Sequence, residues 1–286
     1  GKTPRRLSRG AASDKFLLVS MCYDDRYVKT ALVSSMASKL ELFPLARAYV
    51  RLVVENPFDE DDPRRRWENE GLYLLVDDPV AAAERSSARL AALVRRRNDA
   101  RRSTQPLKGT PDVKRPKRSD DSSDDSSSFD AADRALARYD DVARVASTCR
   151  PGTCLDALDA LVDVDEYLRL LALMTMVRSG DYVDEVWFYA SEELVGARWR
   201  FRAHAWDPDD AFQACHHDGE NALEDPNGIL YCAEGRLDAA LLRDEAVYAA
   251  ARELGVPGPL CMQNDYSIVT RRVEENGLSE ASSPAI

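Results

Sequence analysis

The hydrophobic and polar positions of this chain change period several times, and each change marks an element. Residues 15–21 (KFLLVSM) form a short apolar run and predict a buried strand. Asp24-Asp25 then opens a helix in which Val28, Leu32, Met36 and Leu40 recur along one face. Residues 46–54 (ARAYVRLVV) alternate and read as a strand, and residues 71–76 (GLYLLV) read as the strand returning from a long, charged, Pro-bearing hairpin loop. A run rich in Ala and Arg, 81–97, predicts a helix. This half is therefore expected as β-α-β-β-α, an α+β sheet layer.

The second half turns on residues 163–212. Asp163 is followed three residues later by Glu166, a capping-box spacing that opens a helix. Tyr167, Leu170, Leu171, Met174 and Val177 make its apolar stripe. Ser179-Gly180 is expected to stop it, because glycine tolerates the left-handed conformation of a C-terminal cap. Asp181 then sits in a loop. Two β-rich segments, 186–190 and 199–205, are joined by SEELVGA and read as a hairpin. The second runs out into Trp206-Asp207-Pro208-Asp209-Asp210. Further helices are predicted over 129–145 and 237–254. Between the halves, residues 98–130 place a basic block before a Ser/Asp block with almost no apolar residues, which cannot build a core and reads as a disordered insertion. The polar tail after Gly277 reads the same way.

Composition narrows the classes. With 286 residues, 44% of them hydrophobic, the chain can bury a large core, as one large domain or two small ones. No run of eighteen apolar residues exists to span a membrane. A net charge of -11 argues against general nucleic-acid binding, and an acidic protein that handles nucleotides needs metal and a few placed cations. The chain opens on Gly1 rather than Met, and we read it as a fragment or processed product. Six cysteines form an even set without a CxxC. Cys149 and Cys154 flank Pro151-Gly152 closely enough for a local disulfide, whereas Cys215-His216-His217 with the distant Cys232 fits no common zinc spacing.

The order of helix, loop aspartate, hairpin and acidic cluster has a mechanical meaning. A hairpin folds back on itself, so Asp181 before it and Asp207 and Asp209 after it can come close. One carboxylate can then take the proton of an attacking hydroxyl while the others hold divalent metal on a triphosphate, the order protein kinases use. The plainer alternative is a solvated acidic turn in a chain with 50 Asp and Glu.

These residues, together with others, resemble the CotH kinase family. Lys2-Thr3-Pro4-Arg5-Arg6-Leu7 resembles the family's Lys-x-aromatic-basic strand, and Leu17 to Ala31, with Tyr23-Asp24-Asp25 and Lys29, its strand–Asp–helix segment. Tyr49 to Val54 with Gly71-Leu72-Tyr73-Leu74-Leu75-Val76-Asp77 resembles the hairpin whose second strand reads Gly-x-Tyr-x-Leu-x-Glu. Trp206-Asp207-Pro208-Asp209 after the Asp181 loop resembles the most specific box. The resemblance implies an atypical protein-kinase-like fold: an N-terminal β-rich lobe over 1–97, a mainly helical catalytic lobe over 131–276 carrying the catalytic-loop hairpin, and a tail over 277–286. It implies ATP and Mg²⁺ or Mn²⁺ as cofactors, and protein substrates with Ser or Thr acceptors as partners. Carried across, Asp181 is the catalytic-loop Asp, and Asp207 and Asp209 hold metal. Asp77 stands where the family has Glu. Lys2 lies on the segment the resemblance favours for meeting the phosphates, with Lys15 and Lys29 as alternatives.

Two departures bear on activity. Glu185 stands where the family often has Asn; it can still ligate Mg²⁺ as a hard oxygen donor, with an extra negative charge. Asp77 is one methylene shorter than Glu, which shortens its reach toward a phosphate-contacting lysine. Two functions therefore stand: an ATP-dependent Ser/Thr kinase, and a catalytically inactive surface or secreted binding protein that keeps the scaffold. The resemblance and the even cysteine count favour a secreted or cell-surface location.

Overall fold

A computed structural model describes residues 5–6, 12–13, 15–22, 24, 26–42, 45–55, 67–86, 90–96, 111–115, 126–150, 152–191, 200–205, 208–214 and 235–242. The chain is α+β, and its described residues form two antiparallel sheets and a small β1–β2 ladder (Arg5–Arg6, Ala12–Ser13). The first sheet has the order β3-β5-β4, from Phe16–Val19, Trp67–Asp77 and Arg47–Glu55. Between β3 and β4 runs α1 (Lys29–Lys39). The second sheet has the order β7-β6-β8-β9, from Asp112–Arg115, Leu90–Arg95, Val186–Ser191 and Arg202–Ala205. The remaining helices are α2 (Pro79–Ser86), α3 (Ser126–Thr148), α4 (Cys154–Asp159), α5 (Val164–Met176) and α6 (Arg236–Leu242).

The long hairpin forms as its alternation predicts. β4 and β5 stay in register from Arg47↔Val76 to Leu52↔Gly71, then shift at Leu52/Val53. Gly71, with φ +97, takes the backbone conformation opposite that bulge at no Cβ cost. Among the described residues β3 pairs with β5 alone, and Leu17 and Leu18 are 36% and 45% exposed rather than buried. In α1 the predicted face is inward over its second half only. Met36 and Leu40 pack half-buried against the core, whereas Val28 and Leu32 are exposed and Thr30 and Val33 point inward instead. The cause is the entry: Asp24 is fully buried and its carboxylate accepts the N–H groups of Val28, Lys29 and Thr30 at 2.9, 3.1 and 3.0 Å. That anchor fixes the helix rotation.

The largest departure from the sequence reading is 81–97. Among the described residues of this stretch the helix is Pro79–Ser86 alone, started by Asp78, whose Oδ1 accepts the N–H of Ala81 at 2.8 Å. Residues 90–95 (LAALVR) are a strand lying between β7 and β8. Ala92, Leu93 and Val94 are all 0% exposed, because the strand is covered on both faces. A short apolar run of this kind reads equally as helix or strand by period, and the partners decide. One face, Ala92, Val94, Phe188, Ala190 and Ala203, joins the main core with α3, α5 and α6, and the other, Leu93, Trp187 and Tyr189, packs with Ala83 of α2. Within the 98–130 stretch, Asp112–Arg115 is the edge strand of this sheet, so its strands come from both sides of that stretch. Cys149 and Cys154 are joined by a disulfide between α3 and α4.

Candidate functional site

Helix α5 delivers the candidate site. Its start follows half of the predicted capping box: Asp163 accepts the N–H of Glu166 at 3.1 Å. Glu166 does not reach back. Its buried carboxylate bonds Arg202 of β9 and accepts the N–H of Ala203 at 3.1 Å, which ties the helix to the hairpin's return strand. Tyr167, Leu170, Leu171, Met174 and Val177 are buried, as their spacing predicts.

The helix ends differently from the sequence expectation. Arg178, not Gly180, adopts the left-handed conformation, with φ 48. The Arg178 N–H reaches Thr175 O and the Ser179 N–H reaches Met174 O, both at 3.0 Å, the paired bonds of a Schellman cap. Gly180 is needed for another reason: a Cβ there would meet the backbone oxygen of Ala214 at 2.4 Å.

That close approach belongs to a seam. Gly180 N–H donates to Asp210 O at 3.4 Å, Phe212 N–H donates to Val177 O at 2.8 Å, and Ser179 Oγ donates to Asp210 Oδ1 at 3.4 Å. The strands between close as an antiparallel pair from Val186↔Ala205 to Tyr189↔Arg202. The segment carrying Asp181 and the turn Pro208–Asp210 are therefore stitched together at the base of the hairpin. Asp181 is half-buried just before a 3₁₀ turn, Tyr182–Asp184. Asp209 is half-buried in the facing turn, and Asp210 is buried.

The other candidates are dispersed. Lys2, Trp206 and Asp207 lie outside the described residues. Lys15 is exposed at the start of β3, where its carbonyl accepts the Asp78 N–H at 3.2 Å and Phe16 pairs with Asp77. Asp77 is buried, and its carboxylate is ion-paired with Arg85 of α2. Glu185 is paired with Arg95 of β6 at 2.9 Å. His204 is buried with its ring stacked on Trp187, a packing role. Among the described residues, no group of three or more His, Cys, Asp or Glu side chains could hold a metal ion.

A cavity of about 60 Å³ lies between the first sheet, α1 and α5, and Arg47 and Asp209 are its charged lining residues. Apolar side chains such as Met21, Val33, Leu74 and Met174 make most of the wall. Burial lowers the basicity of the Arg47 guanidinium, whose Nη2 donates to Ala31 O at 3.4 Å.

Sequence reasoning missed a buried polar cluster behind the Asp181 segment. Arg96, Tyr167, Tyr182 and Asp238 are each 3% exposed or less. The Arg96 Nε donates to Val183 O at 2.5 Å, and its Nη1 donates to Tyr167 Oη at 2.7 Å and Asp238 Oδ1 at 3.4 Å. The Tyr182 hydroxyl donates to Asp238 Oδ2 at 2.6 Å, and Tyr167 bonds Oδ1. Burial, then the Asp238 charge, pushes the Tyr182 hydroxyl well above its ordinary value, so it remains a donor. The only local signal was Asp238, three residues after Gly235, whose N–H it accepts at 2.7 Å as an N3 carboxylate does.

The chain is thus α+β, with the Asp181 segment set against the Pro208–Asp210 turn at the base of a β-hairpin. The family model described as CotH kinase protein matches residues 2–259, and the chain belongs to the CotH kinase family. No curated protein matches it.

Proposed function

We propose that this chain is a protein kinase that uses ATP with Mg²⁺ or Mn²⁺ and transfers the γ-phosphoryl group to Ser or Thr hydroxyls of partner proteins. Membership of a kinase family supports it, and one observation carries it to residues: the hydrogen-bonded seam that sets the Asp181 segment against the Pro208–Asp210 turn. Asp181 is the group that accepts the proton of the attacking hydroxyl. Asp207 and Asp209 are the residues that would hold the cation; carboxylate oxygens suit Mg²⁺, which needs only one or two of them beside phosphate and water. A bound divalent cation supplies neutralisation of the triphosphate charge. Lys15, at the rim of the first sheet, or Lys2 supplies a positive charge to the phosphates.

Glu185 fits this reading through its partner. Where the family often has a neutral Asn, Glu185 brings a charge that Arg95 offsets at 2.9 Å, so the net charge at that position returns toward the family's. Asp77, at the end of β5, is held by its ion pair with Arg85. The Cys149–Cys154 disulfide supports a secreted or cell-surface location, where such bonds persist.

The test is transfer of labelled phosphate from ATP to casein with Mg²⁺ or Mn²⁺. Asp181→Asn and Asp207→Asn are each expected to lower the rate by about 10²-fold or more, with circular dichroism and Tm close to wild type. Folded variants that transfer phosphate at the wild-type rate would remove these residues from the mechanism.

A further inference from the structure

We propose that Arg96, Tyr182 and Asp238 are positioning residues for the phosphotransfer reaction, holding the Asp181 segment in place from behind; this rests on the kinase reading above. Two members of the cluster, the Tyr182 hydroxyl and the Val183 carbonyl, belong to the residues directly after Asp181. Their partners come from far along the chain, Arg96 at the end of β6 and Asp238 on α6.

Arg96 grips the segment at three points. Its backbone N–H donates to Val186 O at 2.9 Å, its Nε to Val183 O at 2.5 Å, and its guanidinium lies 5.5 Å from the centre of the Tyr182 ring. Asp238 then clamps the same ring's hydroxyl, and is itself fixed by Tyr167 and by the Gly235 N–H. Within the segment, Glu185 N–H donates to Tyr182 O at 3.1 Å, the 3₁₀ bond. The Arg96 and Asp238 side chains hold the same residues from behind.

A fully buried Arg–Asp pair is a poor way to add stability, since apolar replacements of equal volume are often neutral or better. What such a cluster supplies is a single geometry. A displacement of about 1 Å at a reacting group costs roughly 10²-fold in rate, which is the scale on which this grip matters.

Tyr182→Phe removes one hydroxyl and keeps the ring, and Arg96→Lys keeps the charge and loses the fork. Each is compared with Val142→Ala, a core truncation on α3 outside the cluster. The readouts are kcat and the KM for ATP, with Mg²⁺ or Mn²⁺ and casein as acceptor, and Tm. Positioning predicts that Tyr182→Phe loses about 10- to 100-fold in kcat, with KM for ATP little changed. Val142→Ala is expected to lose comparable Tm and keep kcat. Equal Tm losses with wild-type kcat in Tyr182→Phe would make the cluster structural only and overturn the proposal. If wild-type protein transfers no phosphate, the kinase reading fails, and amide hydrogen exchange separates the two ideas. The grip predicts faster exchange over residues 182–186 in Tyr182→Phe while α5 stays protected, and unchanged exchange there would overturn it.

Discussion

At the scale of single residues, Gly180 and Asp24 carry more than their size suggests. Gly180 sits where another backbone passes, and the atom a Cβ would strike is a carbonyl oxygen that no rotamer change can move. Gly180→Ala is expected to destabilise the protein by about 1–3 kcal/mol, read as a fall in the urea midpoint, and to loosen the seam that holds the Pro208–Asp210 turn. Asp24 acts through its three accepted N–H bonds: burial alone would raise its carboxyl, but the backbone donors outweigh it and hold the group below its ordinary value. A depressed carboxylate pKa gives stability that is complete above the unfolded value and fades as pH falls through the folded one. Asp24→Ala is expected to cost about 1–2 kcal/mol near neutral pH. The gap to wild type should narrow as the pH drops below about 4. A gap independent of pH would mean that the carboxylate charge contributes nothing.

Among elements, α5 is the pivot, since its start holds the hairpin and its end holds the acidic turn. Glu166 makes the first connection and is buried, though burial pushes its carboxyl above the ordinary value. Arg202 is 42% exposed, so water recovers part of its charge if the partner is lost. The Ala203 N–H is buried and has no such recourse. Glu166→Ala is therefore expected to cost about 2 kcal/mol, less than a fully buried pair would, as measured by chemical denaturation. The stripe of α5 and the β4–β5 and β8–β9 hairpins were legible in the sequence because their periods run uninterrupted. β6 was not: Leu90–Arg95 has helix-forming residues, and only the flanking strands β7 and β8 turn it into the centre of a sheet. Gly180 was read correctly as special and for the wrong reason, because close approach of residue 214 leaves no trace in the local pattern.

For the whole molecule, two sheets and their helices meet around α5, and the cavity lined by α1, the first sheet and Asp209 lies at that meeting. No helix among the described residues is long and apolar enough to cross a membrane. The net charge of -11 disfavours a naked polyphosphate. ATP alone is expected to leave Tm unchanged, and ATP with Mg²⁺ or Mn²⁺ at a hundred times its Kd to raise it by about 5 °C or more. A shift that is equal with and without metal would contradict carboxylate-held cation binding at Asp207 and Asp209.

The amino-acid order alone determined the α+β class, the buried stripe of α5, both hairpins and the family, because these follow from periods and short motifs that local chemistry enforces. Tertiary structure decided the strand identity of Leu90–Arg95, the inward face of α1, the pairing of Asp77 with Arg85 and of Glu185 with Arg95, and the Arg96–Asp238 grip on the Asp181 segment. Each of those joins residues far apart in the chain, and a side chain's partner across such a distance is set by packing of the whole, which no local pattern encodes.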